Sequence, residues 1–190
     1  MTLTPGFADP VLEAQHCFRA VLEAMSRPGR VQQLRTNLQP PAPLQPAAAA
    51  LLLTLADAAT PVWLDAGGDA ATWLRFHAGC PLVARPEEAA FALATGAMPP
   101  LAALEAGTEE EPQRAATVLL QVPALAEGEG WRLSGPGIET IHRLRVEGLP
   151  ADFAAQWAAN RAGFPRGVDL VFCCGDRIAA LPRGTMLEAD

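Results

Sequence analysis

Arginine is the residue type in this sequence best suited to binding an anionic ligand. The chain of 190 residues has 14 basic residues of the lysine and arginine types, and all of them are arginine. A guanidinium group binds phosphate or phosphonate oxygens through two parallel hydrogen bonds. Five residues from distant segments are therefore the candidates for a ligand-binding site: Arg19, Arg75, His77, Asp169 and Arg183.

Three of these candidates also have ordinary structural interpretations. Arg19 lies four residues before Glu23, so on a helix the two would form an ion pair that contributes about 0.3 kcal/mol. Arg75 and His77 lie near the end of a predicted helix, where positive charge interacts favourably with the helix dipole. The sequence favours these interpretations, and an arginine-lined anion site is the alternative.

Residues 164–169, with the sequence Phe-Pro-Arg-Gly-Val-Asp, lead into a predicted apolar strand. Asp169 lies at the start of that strand, where a carboxylate among hydrophobic neighbours must cap backbone amides or pair with a cation. Arg183 follows the second strand of the same predicted hairpin, near the rim of the sheet. Structural capping is the favoured role of Asp169, and contact with a ligand at the strand ends is the alternative.

Missing residue types exclude several classes of function. The chain contains no lysine, which excludes a lysine Schiff base, a P-loop phosphate lysine and a lysine general base, and without tyrosine no phenol can act as an acid. No nucleophile-elbow motif marks a catalytic serine.

The net charge of −7 and a pI near 5.0 argue against binding to nucleic acid or to an anionic membrane surface.

The four cysteines, Cys17, Cys80, Cys173 and Cys174, lack the spacing of a metal site. The two closest Cys/His pairs, His16 with Cys17 and Cys173 with Cys174, are adjacent in sequence. Adjacent side chains diverge on a helix and on a strand, so neither pair can chelate one ion. We therefore expect no metal and free buried thiols in a reducing cytoplasm.

Length and hydrophobicity favour a single soluble domain over residues 1–190. Half of the residues are apolar and 18% are charged, which is typical of a folded core. The most apolar stretch, residues 47–53, is far shorter than the roughly 20 residues that span a bilayer. No basic residue precedes Arg19, so the charged start of a secretory signal is missing.

Helix and strand patterns alternate along the chain. Asp9 and Pro10 predict the N-cap and first residue of a helix that ends near Ser26, with Phe18, Val21 and Met25 on its apolar face. Residues 168–174 and 177–181, joined by Gly-Asp, predict a β-hairpin. The alternation predicts an α/β protein with a mixed β-sheet flanked by helices on both faces.

The remaining predicted elements are shorter. Helices are predicted over residues 46–59, over a segment capped by Asp69 and ending at Gly79, and over residues 99–106 and 151–162. Strands are predicted at residues 30–34, 62–65, 81–84, 91–94, 117–122 and 131–134.

A set of short motifs occurs in a fixed order over nearly the whole chain. They are Ala-Gln-His-Cys-Phe-Arg at 14–19, Pro-Gly at 28–29, Leu-Leu-Thr-Leu-Ala-Asp at 52–57, Thr-Pro-Val-Trp at 60–63, Arg-Phe-His at 75–77, Gly-Pro-Gly-Ile at 135–138, Phe-Pro at 164–165, Gly-Val-Asp at 167–169 and Pro-Arg at 182–183. This ordered set resembles that of the PhnH family. Members of that family are subunits of the bacterial carbon–phosphorus lyase system for phosphonate breakdown. Residues 182–185 depart from the Pro-Arg-Thr-Thr of that family, because the third position is glycine.

The resemblance implies a fold similar to that of the pyridoxal-phosphate-dependent transferases, without that cofactor, and we expect no cofactor of any kind. It also implies a homodimer in isolation and a place beside PhnG, PhnI and PhnJ in a core complex. That core is associated with forming α-D-ribose 1-methylphosphonate 5-triphosphate from a nucleoside triphosphate and methylphosphonate. The iron–sulfur radical cleavage that follows belongs to PhnJ by the same resemblance.

Three hypotheses for the function remain open. The leading one is an assembly and ligand-binding subunit of the carbon–phosphorus lyase core, without catalytic activity of its own. The second is an autonomous phosphonate- or nucleotide-binding protein or enzyme, with the five candidate residues in one arginine-lined pocket. The third is a structural dimer whose polar clusters only stabilise its interface.

Overall fold

A computed structural model describes residues 3–188 and contains ten strands and four α-helices in that part of the chain. The strands are β1 (Gln32–Gln33), β2 (Val62–Leu64), β3 (Leu82–Val83), β4 (Phe91–Ala94), β5 (Thr117–Gln121), β6 (Leu125–Ser134), β7 (His142–Val146), β8 (Asp169–Cys174), β9 (Arg177–Leu181) and β10 (Met186–Glu188). The helices are α1 (Pro10–Ser26), α2 (Pro46–Leu55), α3 (Gly68–Ala78) and α4 (Phe153–Ala162). None of these helices has the length and apolar character needed to cross a membrane.

Seven strands form the central sheet, in the order β1-β9-β8-β5-β4-β2-β3. Strands β2, β3, β4, β5 and β8 are parallel, whereas β9 runs antiparallel to both β8 and β1. Strands β10, β6 and β7 form a smaller antiparallel sheet. The central sheet is therefore mixed, as the sequence predicts.

Two hydrophobic cores lie on opposite faces of the central sheet. Alternate residues of β8 belong to different cores: Val171 faces the core that is built with α1, α2 and α3, and Phe172 faces the other. The second core contains Phe153 and Trp157 of α4 together with residues of the small sheet. Helices therefore cover both faces, which confirms the predicted architecture.

The first helix begins and ends where the sequence predicts, but it buries a different face. The Asp9 side chain accepts a hydrogen bond from the backbone N–H of Leu12 at 3.0 Å, which caps the helix. Val21 is buried against α2, but Phe18 and Leu22 are 46% and 52% exposed. The prediction that Phe18 faces the core is wrong, because the buried face of α1 consists of Cys17, Val21 and Ala24, and Phe18 lies to one side of it.

Two predicted helix boundaries are wrong for local reasons. Helix α2 ends at Leu55 instead of residue 59, because the Asp57 carboxylate accepts hydrogen bonds from the backbone of Ala59 and the hydroxyl of Thr60. These bonds stabilise a turn in place of a further helical turn. Asp69 does not cap α3: the N-cap is Gly67, and Asp69 lies within the first turn.

The helix predicted over residues 99–106 is reduced to one 3₁₀ turn, Leu101–Ala103. The backbone N–H of Leu101 donates to the Gln156 side chain, and the Glu105 carbonyl accepts from Ala116, so neighbouring elements hold this segment away from an α-helix. The strand predicted at residues 131–134 is the end of the longer β6, and the sequence pattern predicts neither β7 nor β10. An irregularity between Glu127 and Trp131 interrupts the alternating pattern of β6.

Candidate functional site

Two of the five candidate residues form a buried ion pair. Asp169 is the first residue of β8, and Arg183 follows β9, its antiparallel neighbour, so the hairpin brings them together. The Nη2 and Nε atoms of Arg183 donate to the two carboxylate oxygens of Asp169 at 2.5 and 3.1 Å. The backbone N–H of Arg183 donates to the same carboxylate at 2.7 Å. Asp169 therefore combines both structural roles predicted for it, capping and pairing.

The remaining nitrogen of the Arg183 guanidinium is also bonded within the chain. Nη1 donates to the carbonyl of Pro112 at 2.7 Å and lies 3.5 Å from the carbonyl of Pro165. The side chains of Arg183 and Asp169 are 15% and 13% exposed. Since all three guanidinium nitrogens have partners, Arg183 connects three segments of the chain.

The position of this pair in the sheet also favours a structural role. Asp169 is in register with Thr117, the first residue of β5, so the pair lies at the amino ends of the parallel strands. Open α/β sheets bind ligands at the carboxyl ends, at the point where the strand order reverses. Here that point lies between β2 and β4, because the chain proceeds from β2 to β3 on one side and from β4 to β5 on the other.

The side chain of Asp65 occupies the point where the strand order reverses, at the carboxyl ends of the parallel strands. The carboxylate of Asp65, just after β2, accepts hydrogen bonds from the backbone and hydroxyl of Thr95 at 2.9 and 2.8 Å and from the backbone of Gly96 at 3.1 Å. In nucleotide-binding sheets, loop amides at this position bind phosphate. In this protein an internal carboxylate binds the amides of the loop after β4.

Arg19 is exposed on α1, and its predicted ion pair with Glu23 is wrong. Glu23 instead pairs with Arg27, with 3.0 Å between Oε1 and Nε. An i,i+4 pair is more favourable when the acidic residue precedes the basic one, and Arg27 also lies at the C-terminus of the helix, where a cation is favoured. Arg19 forms no ion pair with any residue between positions 3 and 188.

His77 holds the start of the described chain against α3. Its Nε2 lies 3.0 Å from the carbonyl oxygen of Thr4, which also accepts a hydrogen bond from Nε1 of Trp73 at 2.8 Å. The rings of His77 and Trp73 are in contact, with 4.7 Å between their centroids. Arg75, between them in sequence, is exposed, and its position in the last turn of α3 agrees with the predicted interaction with the helix dipole.

The five candidates are distributed over several elements of the described structure. Asp169 and Arg183 contact each other, whereas Arg19 lies on α1, and Arg75 and His77 lie on α3. Of the cavities within residues 3–188, three have none of the five residues in their lining. A role of these residues in ligand binding stays a prediction.

All four cysteines are buried free thiols. Burial raises the pKa of the Cys17 thiol, and a hydrogen bond with Thr54 lowers it by less. Burial also raises the pKa of Cys80 and of Cys173. A raised pKa reduces the fraction of thiolate, which is the nucleophilic form. Among the described residues, no group of three or more His, Cys, Asp or Glu side chains is arranged to hold a metal ion.

The sequence did not reveal an open groove along α4. This cavity of about 620 Å³ lies between residues 100–106 and α4, and most of its lining is apolar. Arg166 and Asp152 are the charged residues that line it. Its two walls are some fifty residues apart in sequence, and the sequence predicts a helix over residues 99–106 on one of them. The sequence therefore held no local signal for the groove.

The fold and these contacts define a mixed α/β protein with a buried ion pair that connects separate segments of the chain. The family described as bacterial phosphonate metabolism protein (PhnH) matches residues 5–188. The chain is 41% identical, over 190 residues, to the α-D-ribose 1-methylphosphonate 5-triphosphate synthase subunit PhnH of Rhizobium meliloti (strain 1021); the match covers 97% of this chain and 95% of the relative. The chain belongs to the PhnH family.

A second relative is also named as a subunit of a C-P lyase. The chain is 34% identical over 174 residues to the protein named C-P lyase subunit protein HtxG from Stutzerimonas stutzeri. This match covers 92% of the chain and 85% of the relative. The resemblance drawn from the ordered sequence motifs is therefore confirmed at the level of the family.

Proposed function

We propose that this chain is a subunit of a carbon–phosphorus lyase core complex that forms α-D-ribose 1-methylphosphonate 5-triphosphate, and that it contributes to assembly instead of covalent chemistry. The observation that carries the proposal is the 41% identity to a subunit of that synthase over nearly the full length of both chains. The second relative, named as a C-P lyase subunit, supports the same assignment.

The partners follow from the family resemblance. We expect the chain to join subunits of the PhnG, PhnI and PhnJ types and to form a homodimer when isolated. The names of the two relatives support partners in general, because each relative is named as a subunit. The four free thiols fit a reducing compartment, so we place the complex in the cytoplasm.

Two features of the structure support an assembly role. Arg183, one of the three arginine candidates for binding a phosphonate, has all three of its guanidinium nitrogens engaged by Asp169 and two backbone carbonyls. The three cysteines with a raised pKa are buried, which disfavours nucleophilic catalysis by their thiols.

Reconstitution of the complex tests this proposal. The chain, carrying an affinity tag, is co-expressed with PhnG, PhnI and PhnJ from the same source, and the purified material is weighed by native mass spectrometry. We expect a stable complex in which the tagged chain is present at a fixed ratio. A core of PhnG, PhnI and PhnJ that assembles and turns over normally without the chain contradicts the proposal.

The isolated chain provides the complementary test. Calorimetric titration with methylphosphonate and with a nucleoside triphosphate, at several salt concentrations, distinguishes an assembly subunit from an autonomous anion-binding protein. We expect no heat of binding with either ligand. Turnover of a phosphonate by the isolated chain would overturn the assignment to assembly.

A further inference from the structure

The groove along α4 has the size and shape of a binding surface. Its volume of about 620 Å³ lies within the range of roughly 300–1,000 Å³ that is typical of ligand sites. One wall is the apolar segment 100–106, and the other is a face of α4 on which Ala155, Ala159 and Gly163 recur. From Asp152 to Gly163 the groove follows α4 for about 16 Å, or three helical turns.

The two carboxamides that line the groove are already satisfied inside the protein. Gln156 accepts a hydrogen bond from the backbone of Leu101 and donates one to Asp152, both at 3.0 Å. Asn160 exchanges two hydrogen bonds with the backbone of Val168, at 3.0 and 2.8 Å. Recognition of a nucleobase or sugar requires free donors and acceptors, so the groove is better suited to an apolar occupant.

Two charged residues lie towards opposite ends of the groove. Asp152 precedes the first turn of α4, and Arg166 follows its last turn. Arg166 is exposed and makes no side-chain hydrogen bond or ion pair within residues 3–188. These opposite charges favour an occupant with an acidic group at the Arg166 end and a basic group at the Asp152 end.

We propose that this groove binds an amphipathic helix of a partner subunit of the core complex. Such a helix presents apolar side chains at positions i, i+3 or i+4, and i+7, a span of about 10 Å that fits within the three turns of α4. The charges at the two ends then fix its direction. The inference rests on the proposed function, because that function supplies the partner subunits.

Filling the groove tests the inference. Ala159→Trp places a large side chain against the opposite wall, whereas Ala158→Trp places the same side chain on a neighbouring exposed position that does not line the groove. Each full-length variant is titrated into a purified core of PhnG, PhnI and PhnJ, and the Kd is measured by interferometry. We expect Ala159→Trp to raise the Kd at least tenfold and Ala158→Trp to leave it within about twofold of the parent value.

Reversal of a charge tests the direction of the helix without altering the packing. Arg166→Glu is expected to raise the Kd about fivefold or more, with an effect that decreases as salt is added. Arg161→Glu, an equal change of charge on an exposed residue of α4 outside the groove, serves as the control. Both arginines are exposed, so these variants keep the inference testable if Ala159→Trp fails to fold.

The outcomes separate the two proposals. If the parent chain joins the core and the groove variants join equally well, the groove inference is overturned and the proposed function stands. If the parent chain does not join the core, both proposals fail. If Ala159→Trp converts a dimer of the isolated chain into a monomer but leaves the Kd for the core unchanged, the occupant is a second copy and the inference is overturned.

Discussion

The guanidinium of Arg183 and the carboxylate of Asp169 meet at the open end of the β8–β9 hairpin, with Nη2 2.5 Å from Oδ2. Because this pair is largely removed from solvent, loss of one partner leaves the other charge buried without compensation. We expect Asp169→Ala to lower the free energy of unfolding by about 3 kcal/mol, measured by urea denaturation.

A double-mutant cycle isolates the interaction between these two residues. The double variant Asp169→Ala/Arg183→Ala is expected to lose clearly less stability than the sum of the single variants. Glu129→Ala, which removes an exposed ion pair with Arg145, is the control and leaves stability nearly unchanged. Additive losses at Asp169 and Arg183 would show that the pair has no structural coupling.

The bonds to the Thr4 carbonyl lead to a prediction about the start of the described chain. Trp73→Phe keeps a buried aromatic ring, smaller than the indole, and removes the N–H that donates to Thr4. One hydrogen bond contributes about 1 kcal/mol, so we expect amide exchange at residues 3–8 to accelerate about fivefold. Hydrogen-exchange mass spectrometry measures the change.

Arg75→Ala is the control for this experiment, because Arg75 lies on the same helix but is exposed. It should leave exchange at residues 3–8 unchanged. Equal exchange rates in Trp73→Phe and the parent chain would mean that other contacts hold this segment.

The absence of lysine and tyrosine gives the protein an unusual dependence of stability on alkaline pH. Arginine stays protonated, so the cysteines are the main side chains that titrate above pH 8. Burial raises the pKa of Cys17 and Cys173 above the ordinary value of 9.0. Above that pH the unfolded chain releases protons that the folded chain retains, which favours unfolding.

The contribution of these thiols to stability is therefore complete below pH 9 and is lost as the pH rises towards the pKa of the folded state. We expect the free energy of unfolding to fall by up to about 1.4 kcal/mol per pH unit for each buried thiol. The variant Cys17→Ala/Cys173→Ala should show a clearly smaller slope between pH 9 and 10.5. An identical slope in both proteins would contradict this assignment.

Helix α1 shows which parts of the structure the sequence can predict. Its boundaries depend on local chemistry, the cap at Asp9 and the Pro-Gly turn at residues 28–29, and they are predicted correctly. Its buried face depends on the distant residues of α2. Since Val21 and Phe18 are both apolar and three residues apart, the helical pattern alone did not show which of them is buried.

The candidate site shows the same division between local and distant information. Asp169 and Arg183 flank one predicted hairpin, so the local pattern placed them close together and left pairing as one of two roles for Asp169. The bonds from Arg183 to Pro112 and from His77 to Thr4 join segments about seventy residues apart, and no local pattern predicts them.

The two faces of α1 should respond differently to substitution. Val21→Ala removes buried methyl groups and is expected to cost about 2 kcal/mol of unfolding free energy. Phe18→Gln and Leu22→Gln are expected to cost less than about 0.5 kcal/mol each, because both side chains are largely exposed. Denaturation at low protein concentration measures the stability of the isolated chain. A loss at Leu22 as large as that at Val21 would show that a second surface covers this face.

The turn at residues 135–138 requires glycine at one position for two independent reasons. Gly137 has φ +83°, and a Cβ atom there would lie 2.2 Å from the carbonyl oxygen of Ser26, the last residue of α1. A backbone atom cannot move aside without displacing the end of the helix. We expect Gly137→Ala to lower the free energy of unfolding by at least about 2 kcal/mol, from the positive φ and the collision together.

Gly184 provides a matched comparison at the position where this sequence departs from the Pro-Arg-Thr-Thr motif. A Cβ atom at Gly184 would lie 3.8 Å from Cε2 of Phe164, which is an ordinary contact distance. Gly184→Thr should therefore fold with a melting temperature within a few degrees of the parent value, since surface changes of this kind alter stability by about 0.5 kcal/mol or less. A loss of stability at Gly184 equal to that at Gly137 would show that position 184 requires glycine for a reason other than the space available to a larger side chain.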